Sequence, residues 1–264
     1  MNAGDPLREK MFDYYEQMPW VALVRILEVE QLKAELSLCQ PPVLDLGCGD
    51  GFIAKAAFEC QLDAGIDLDT EALRRAEASG AYRRVVHANA TALPFEEDEF
   101  RTVYSNGAME HMNQLPKVLS EIARVLKPGG VLVTFVPSDK FKSPIGALGR
   151  LFGQGLWNAY NRLHNHVNLL SPDEWRKELE SKDLHDITIW TYGGTMIADT
   201  LCNFDLWSKL HVSRHWPFLH LCHGGNLGVL TVRPSIEKLK QLVTEEDRQP
   251  TRDGFWLKIV ATRS

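Results

Sequence analysis

Between Pro41 and Pro137 short apolar runs alternate with amphipathic ones, and this alternation constrains the fold more than any other feature of the chain. "VLDL" (43–46), "LDAGID" (62–67), "RRVVHA" (83–88), "FRTVYS" (100–105) and "VLVTFV" (131–136) have the length and composition of strands. Helical runs separate them. These are "FIAKAAFEC" (52–60), "TEALRRAEAS" (70–79) with Asp69 or Thr70 as its cap, and "QLPKVLSEIARVL" (114–126). The last places Leu115, Val118, Leu119, Ile122 and Leu126 on one face, and "KPGG" reads as its stop. Strands that alternate with helices imply a parallel sheet covered on both faces.

The flanks are less regular. Residues 7–38 read as helix, with Trp20, Leu23, Val24, Leu27, Leu32 and Leu36 at helical spacing, stopped by Pro41 and Pro42. After Pro137 helices are expected at 145–161 and 171–181, the second opened by Ser171 as cap and Pro172 at the first helical position. "HDITIWTY" and "GFWLKIVATR" read as strands, and the stretch between them is too long for a simple connection. The chain thus divides into an N-terminal helical segment (1–40), a core (41–137) and a region 138–264 that carries an insert at 195–250.

Charge and cysteine usage narrow the partners. A net charge of -6 gives no general attraction to phosphate backbones, so no nucleic-acid partner is expected. Five cysteines without a C-x-x-C pair argue against a disulfide framework and for a reducing cytoplasm. The N-terminal residues lack the apolar stretch of a signal peptide, and no run of eighteen apolar residues predicts a membrane span.

"PPVLDLGCGDG" (41–51) carries the chemistry. A strand runs into Gly47, Gly49 and Gly51, whose missing side chains let a cofactor approach the backbone. Asp67 ends the second strand, where a carboxylate can accept from both hydroxyls of a ribose. Those features suit a nicotinamide enzyme as well as one that uses S-adenosylmethionine (SAM). The spacing G-x-G-x-G, rather than G-x-G-x-x-G, separates the two. So does Asp45, an acid that favours the ammonium of SAM and would repel a pyrophosphate.

With "GIDLD", "ALPF" and "LKPGG" following in order, residues 43–136 resemble the core of the class I SAM-dependent methyltransferases, in particular the type 11-like small-molecule enzymes. The resemblance implies an α/β, Rossmann-like fold: a mostly parallel seven-stranded sheet with helices on both faces and a C-terminal insert or lid. It implies SAM as cofactor, with the backbones of Gly47, Gly49 and Gly51 along its methionine and ribose and Asp45 toward its ammonium. Asp67 would hold the ribose hydroxyls and Leu68 the adenine face. "HANATALPF" matches the adenine loop, with Asn89 where the family usually has aspartate, followed by Ala90. The amide oxygen of Asn89 can still accept from an exocyclic amine. Arg101 also departs from the family's usual aspartate, at a position that serves packing and solubility. Cys48 reads as a small buried residue rather than a nucleophile.

A hydroxyl or ammonium acceptor must lose a proton during methyl transfer, which calls for a base poised near neutral pH. In this fold the loop after the fourth strand faces the methyl group, and here it reads "SNGAMEHM". His111 is the candidate base; the alternative is that Glu110 and His111 only cap or tether the following helix. The loop lacks the N-P-P-aromatic motif of nucleic-acid amine methylation and the cysteine of pyrimidine carbon-5 methylation. It offers Asn106 and no aspartate, so no metal is expected. Tyr14 in the N-terminal helix and His164 and His166 in "NRLHNHVN" are candidate substrate contacts, and the resemblance implies that Tyr14 and Tyr15 could close over SAM. Residues 204–230, rich in Trp, Phe and Leu, suggest a lid over the acceptor pocket or a peripheral membrane contact. Their histidines and Cys222 lack a standard zinc spacing.

The expected function is methyl transfer from SAM to a small, fairly apolar metabolite, at a hydroxyl oxygen. N- or C-methylation of a small molecule or lipid, a non-catalytic SAM-fold partner subunit, and an NAD-dependent oxidoreductase are the alternatives.

Overall fold

The computed structural model describes residues 6–16, 19–212 and 254–264. Among them β1 (Val43–Leu46), β2 (Ala64–Asp67), β3 (Val85–His87), β4 (Phe100–Asn106), β5 (Leu126–Pro137), β6 (Leu184–Tyr192) and β7 (Trp256–Arg263) form one seven-stranded sheet. Its order is β3-β2-β1-β4-β5-β7-β6. The first five strands pair in parallel, and β7 inserts antiparallel between β5 and β6. This is the α/β, Rossmann-like architecture the sequence implies.

Period-two alternation along the strands feeds two cores. Val43, Tyr104, Val133 and Phe135 face one hydrophobic cluster, and Leu44, Val103, Leu132 and Val136 face the other. Each central strand is therefore apolar on both sides, which explains why its sequence shows no polar alternation. Helix α5 (Leu115–Val125) and helix α7 (Pro172–Glu180) cover the second cluster with Val118, Leu119, Ile122 and Trp175. Helices α2 (Pro19–Ala34), α3 (Phe52–Ala57) and α4 (Thr70–Ser79) contribute Leu23, Leu27, Ala54 and Leu73 to the first.

Local capping sets the helix boundaries. Asp69, and not Thr70, caps α4 by accepting from the backbone N–H groups of Glu71 and Ala72. Ser171 and Glu174 form a reciprocal capping box at α7, with Pro172 at the first helical position as expected.

The structure corrects three sequence expectations. The single helix at 7–38 is two, α1 (Pro6–Tyr14) and α2, and the second opens at Pro19, which has no N–H to donate into a continuing helix. "KPGG" does not lie between helix and strand: α5 ends at Val125, and β5 runs through it from Leu126. Gly129 takes a positive φ there (73°) and the register against β4 shifts between Phe100 and Thr102, so a bulge absorbs the extra residues. Leu126 is consequently a fully buried strand residue rather than part of the helix face. The helix expected at 145–161 is α6 (Gly146–Leu163), broken internally at Gly153.

The insert expected at 195–250 begins as helix α8 (Thr195–Val212). Its remainder, including 213–230 of the stretch read as lid or membrane contact, lies outside the described residues. No described helix is long and apolar enough to cross a membrane.

Candidate active site

The strand order reverses between β1 and β4, and a crevice opens at such a reversal beyond the carboxyl ends of the strands. A cavity of about 570 Å³ occupies it. That volume falls within the range of small-molecule sites, roughly 300–1,000 Å³.

The three glycines prove to have different tasks. Gly47 (φ 79°) lets two loops touch: a Cβ there would come within 2.4 Å of Ala108 Cβ. Gly49 (φ 53°) lines the cavity, with nothing within 4 Å of its missing Cβ, and its N–H donates to Asp67 Oδ2 at 2.9 Å. Gly51 is not a cavity residue, contrary to the expectation for it. A Cβ there would meet Ser79 Oγ at 2.8 Å and Tyr82 Cε2 at 2.9 Å, so this glycine serves the packing of α3 against α4.

Asp67 lines the cavity with its carboxylate held at both ends, since Oδ1 accepts from Asp69 N at 2.9 Å. Each oxygen keeps lone-pair capacity for a ligand hydroxyl. Asp45 lies deeper, 3% exposed, and accepts from the Tyr82 hydroxyl at 2.7 Å. Burial pushes its pKa up to about 7, against the Tyr82 hydrogen bond and with help from the Asp67 charge. A buried carboxylate so poised is suited to a cation. The same shift predicts a pH dependence. Between about pH 4 and pH 7 the folded state holds a proton that the unfolded chain has released, so stability from this group falls as pH rises through that window. Calorimetric unfolding should therefore lose a downward slope when Asp45 is replaced by asparagine. A slope equal in the two proteins would show that Asp45 is ionised throughout.

Leu68, 61% exposed, and Ala90, buried, both line the cavity. Asn89 lines it too, but its Oδ1 already accepts from Thr91 N (3.0 Å) and Thr91 Oγ1 (2.9 Å). The oxygen assigned from sequence to an exocyclic amine is thus committed to a local turn. Tyr14 is a further correction. It stacks on Phe52 at 3.7 Å and donates to Asp50, and its neighbour Tyr15 is the one that lines the cavity. Cys48 is buried at the cavity wall, and burial pushes its thiol pKa up, which fits an inert role.

His111 lies in a 3-10 turn, Met109–His111, and its Nδ1 is 3.2 Å from the Asn165 carbonyl. A carbonyl only accepts, so Nδ1 carries the proton and Nε2 the lone pair. Nε2 lies 3.7 Å from Glu110 Oε1. The turn is clamped by the loop after α6. Val167 N and Asn168 N donate to the Glu110 carbonyl (2.9 and 3.1 Å), and Asn168 Nδ2 donates to the carbonyls of Met109 (2.8 Å) and Met112 (2.6 Å). The segments "GAMEHM" and "NHVN", separate in sequence, are one structural unit. Asn168→Ala should cost about 1–3 kcal/mol by stranding those carbonyls, as read by urea unfolding, and should lower turnover with it; an unchanged midpoint would mean that the turn holds itself.

A second cavity of about 170 Å³ adjoins the first, and Arg25 and His111 stand in the walls of both. His164 and His166 line it, so the sequence candidates His111, His164 and His166 do come together there while Tyr14 does not. Their rings stack in series, His111 on His166 at 5.4 Å and His166 on His164 at 5.4 Å. Burial, then the two flanking histidines, hold the His166 pKa down to about 3, so this ring is neutral. His164 Nε2 lies 2.8 Å from Asp205 Oδ2, which also accepts from the Tyr160 hydroxyl at 2.9 Å. Sequence reasoning missed Arg25, Glu28 and Asn168. The first two carried a signal: opposite charges three residues apart within the apolar run of α2.

A switch-point crevice with a glycine turn, a fixed carboxylate at the end of the second strand and a buried acid on the first gives this Rossmann-like fold a cofactor-sized site. Residues 44–134 match the family model described as a methyltransferase domain. An uncharacterized methyltransferase of Mycobacterium tuberculosis is 34% identical over 123 residues, which cover 45% of this chain and 61% of that protein. A malonyl-[acyl-carrier protein] O-methyltransferase of Legionella pneumophila is 30% identical over 171 residues, 62% of this chain and 51% of that one. The crystal structure of a Thermotoga maritima SAM-dependent methyltransferase, a possible histamine N-methyltransferase, has the same fold at a TM-score of 0.58 and 13% identity, covering 96% of this chain and 98% of that one. Residues 44–134 are thus a methyltransferase domain of the class I SAM-dependent kind, a family whose cofactor is SAM. The chain spans less than two thirds of the length of these curated relatives.

Proposed function

We propose that the chain transfers the methyl group of SAM to a small molecule seated in the second cavity, with His111 Nε2 receiving the proton that the acceptor must shed. The observation that carries this reading is the place of His111: it stands in the wall shared by the two cavities, with its tautomer set by the Asn165 carbonyl. Asp67, Gly49 and Asp45 would hold the cofactor, and bound SAM would supply an activated methyl carbon. The chain's own work is then alignment, exclusion of water and proton removal. Glu110, 3.7 Å from Nε2, stabilises the imidazolium as it forms. Phe141, Leu201 and Trp256 give the acceptor side an apolar wall.

The hydroxyl acceptor read from the sequence meets the need for an ionisable O–H; an amine meets it equally with N–H, and the charge of the second cavity bears on that choice. Retention of both acids, Asp45 and Asp67, around an open cavity supports an enzyme over a non-catalytic subunit. The unpaired Cys39, Cys48, Cys60 and Cys202 support a reducing, cytoplasmic setting. The test is incubation of the protein with methyl-deuterated SAM and a small-molecule extract, followed by mass spectrometry. The expected result is a labelled product and S-adenosylhomocysteine, both lost with His111→Ala. A protein that binds NAD and is indifferent to SAM in calorimetry sinks the reading.

A further inference from the structure

We infer that the acceptor is a small primary or secondary amine on an apolar body, bound as its ammonium ion by the buried carboxylates of the second cavity. The inference rests on the methyltransferase reading above and names the substrate class of that same site.

Charge in the cavity wall is the first argument. Glu28, Glu110 and Asp205 all face it, and they are 3%, 5% and 5% exposed. Arg25 is the guanidinium that joins them, and it is already committed: Nη1 lies 2.6 Å from Glu28 Oε2, and the group packs against the backbone of Gly107, where a Cβ would come within 2.5 Å of it. Glu28 is further satisfied by Asn106 Nδ2 at 2.9 Å. Asp205 is met by the Tyr160 hydroxyl and by His164. His166 is neutral. Arg25 thus offsets Glu28 and His164 lies against Asp205, so Glu110 is the acid of the described wall whose charge the ligand has to answer; burial raises its pKa, and a cation beside it favours the ionised form.

An unpartnered atom is the second argument, independent of the charge count. Glu110 Oε2 is buried with no hydrogen-bond partner among the described residues, while Oε1 faces His111. A buried acceptor left unmatched is costly, so the ligand that completes it brings a donor. A hydroxyl brings a donor but leaves the charge uncompensated. A carboxylate or phosphate would meet like charge. An ammonium supplies both. The rest of the wall suits what an amine would carry: Val21, Val24 and Leu201 are apolar, and Tyr160 and Trp256 present rings to which a cation is attracted. A volume of about 170 Å³ takes a short chain or a single ring.

The step balances. One N–H proton of the ammonium passes to His111 Nε2, and the lone pair so freed forms the new N–C bond to the methyl carbon. The electrons of the breaking C–S bond go to sulfur and cancel its positive charge. The methylated amine leaves as an ammonium, and the imidazolium returns its proton to solvent.

The experiment is calorimetry in two stages at pH 7. The protein is first titrated with S-adenosylhomocysteine; no binding there would overturn the methyltransferase reading itself, and this inference with it. The saturated protein is then titrated with three matched probes, 2-phenylethylamine, 2-phenylethanol and phenylacetate. The amine should bind about tenfold or more tightly than either of the others, as one charge-assisted hydrogen bond requires. Glu110→Gln should narrow that preference. The alcohol or the acid binding as tightly as the amine overturns the inference and leaves the methyltransferase reading standing, and so does a saturated protein that ignores all three. The comparison among probes is made on the unaltered protein, so it holds even where a variant fails to fold.

Discussion

His111→Ala lowers turnover by ~10²–10⁴ if the imidazole moves a proton in the transition state, and leaves affinity for S-adenosylhomocysteine nearly intact. The rival role is that Glu110 and His111 only cap or tether the following helix, and the geometry argues against the cap. The cap of α5 is Gln114, at φ 58°, and its side chain makes no capping hydrogen bond. The clamp on the Met109–His111 turn is made by the N–H groups of Val167 and Asn168 and by the Asn168 amide, and among the described residues the only ring contact of His111 at hydrogen-bond distance is the one from Nδ1 to the Asn165 carbonyl. Loss of the imidazole should therefore remove the proposed base without dismantling the turn. The pH profile of turnover separates the two roles: a base gives a limb that rises with pH and disappears in the variant. If the variant kept both the limb and near-full turnover, proton transfer would have to run through Glu110 or solvent.

The core from 43 to 136 was legible because local signals agreed with the global fold. Strand and helix periods, the Asp69 cap and the glycine turn all pointed to one parallel sheet. The errors fell where one composition serves two geometries. "KPGG" has the residues of a helix stop, and the same residues make a bulge when β4 is alongside. Gly51 shares its spacing with Gly47 and Gly49, yet only a neighbour such as Tyr82 reveals that it serves helix packing. Tyr14 ends α1 and Tyr15 follows it with its N–H still donating to the Met11 carbonyl, so the two point about 100° apart; which of them reaches the cavity depends on how α1 sits on Phe52. The second cavity was out of reach for a different reason. Its walls come from α2, the Met109–His111 turn, the loop after α6, α8 and β7, and no pattern in one segment announces the others. The histidines and Glu110 were visible, but the other acids of its wall, Glu28 and Asp205, sat in stretches read for their apolar residues.

Asp67→Ala should weaken binding of both SAM and S-adenosylhomocysteine by roughly tenfold to a hundredfold or more, since each lost hydrogen bond to a charged acceptor is worth ~1.5–3 kcal/mol. The two ribose hydroxyls proposed as its partners would account for the direct part. The structure adds an indirect one, because the same carboxylate accepts from Gly49 N and Asp69 N and so fixes the glycine turn against the end of β2. Without it the Gly49 N–H is released and that turn is free to reorient beside the cofactor. Asp67→Asn divides the two contributions. Its single acceptor oxygen can keep one of the tethers, and its amide still donates to one hydroxyl, so the loss in affinity should be smaller than for alanine. Calorimetry with S-adenosylhomocysteine across the three proteins reads the difference directly. Equal affinity in all three, with only the unfolding temperature lowered, would make Asp67 a builder of the turn and would move ribose recognition elsewhere in the cavity.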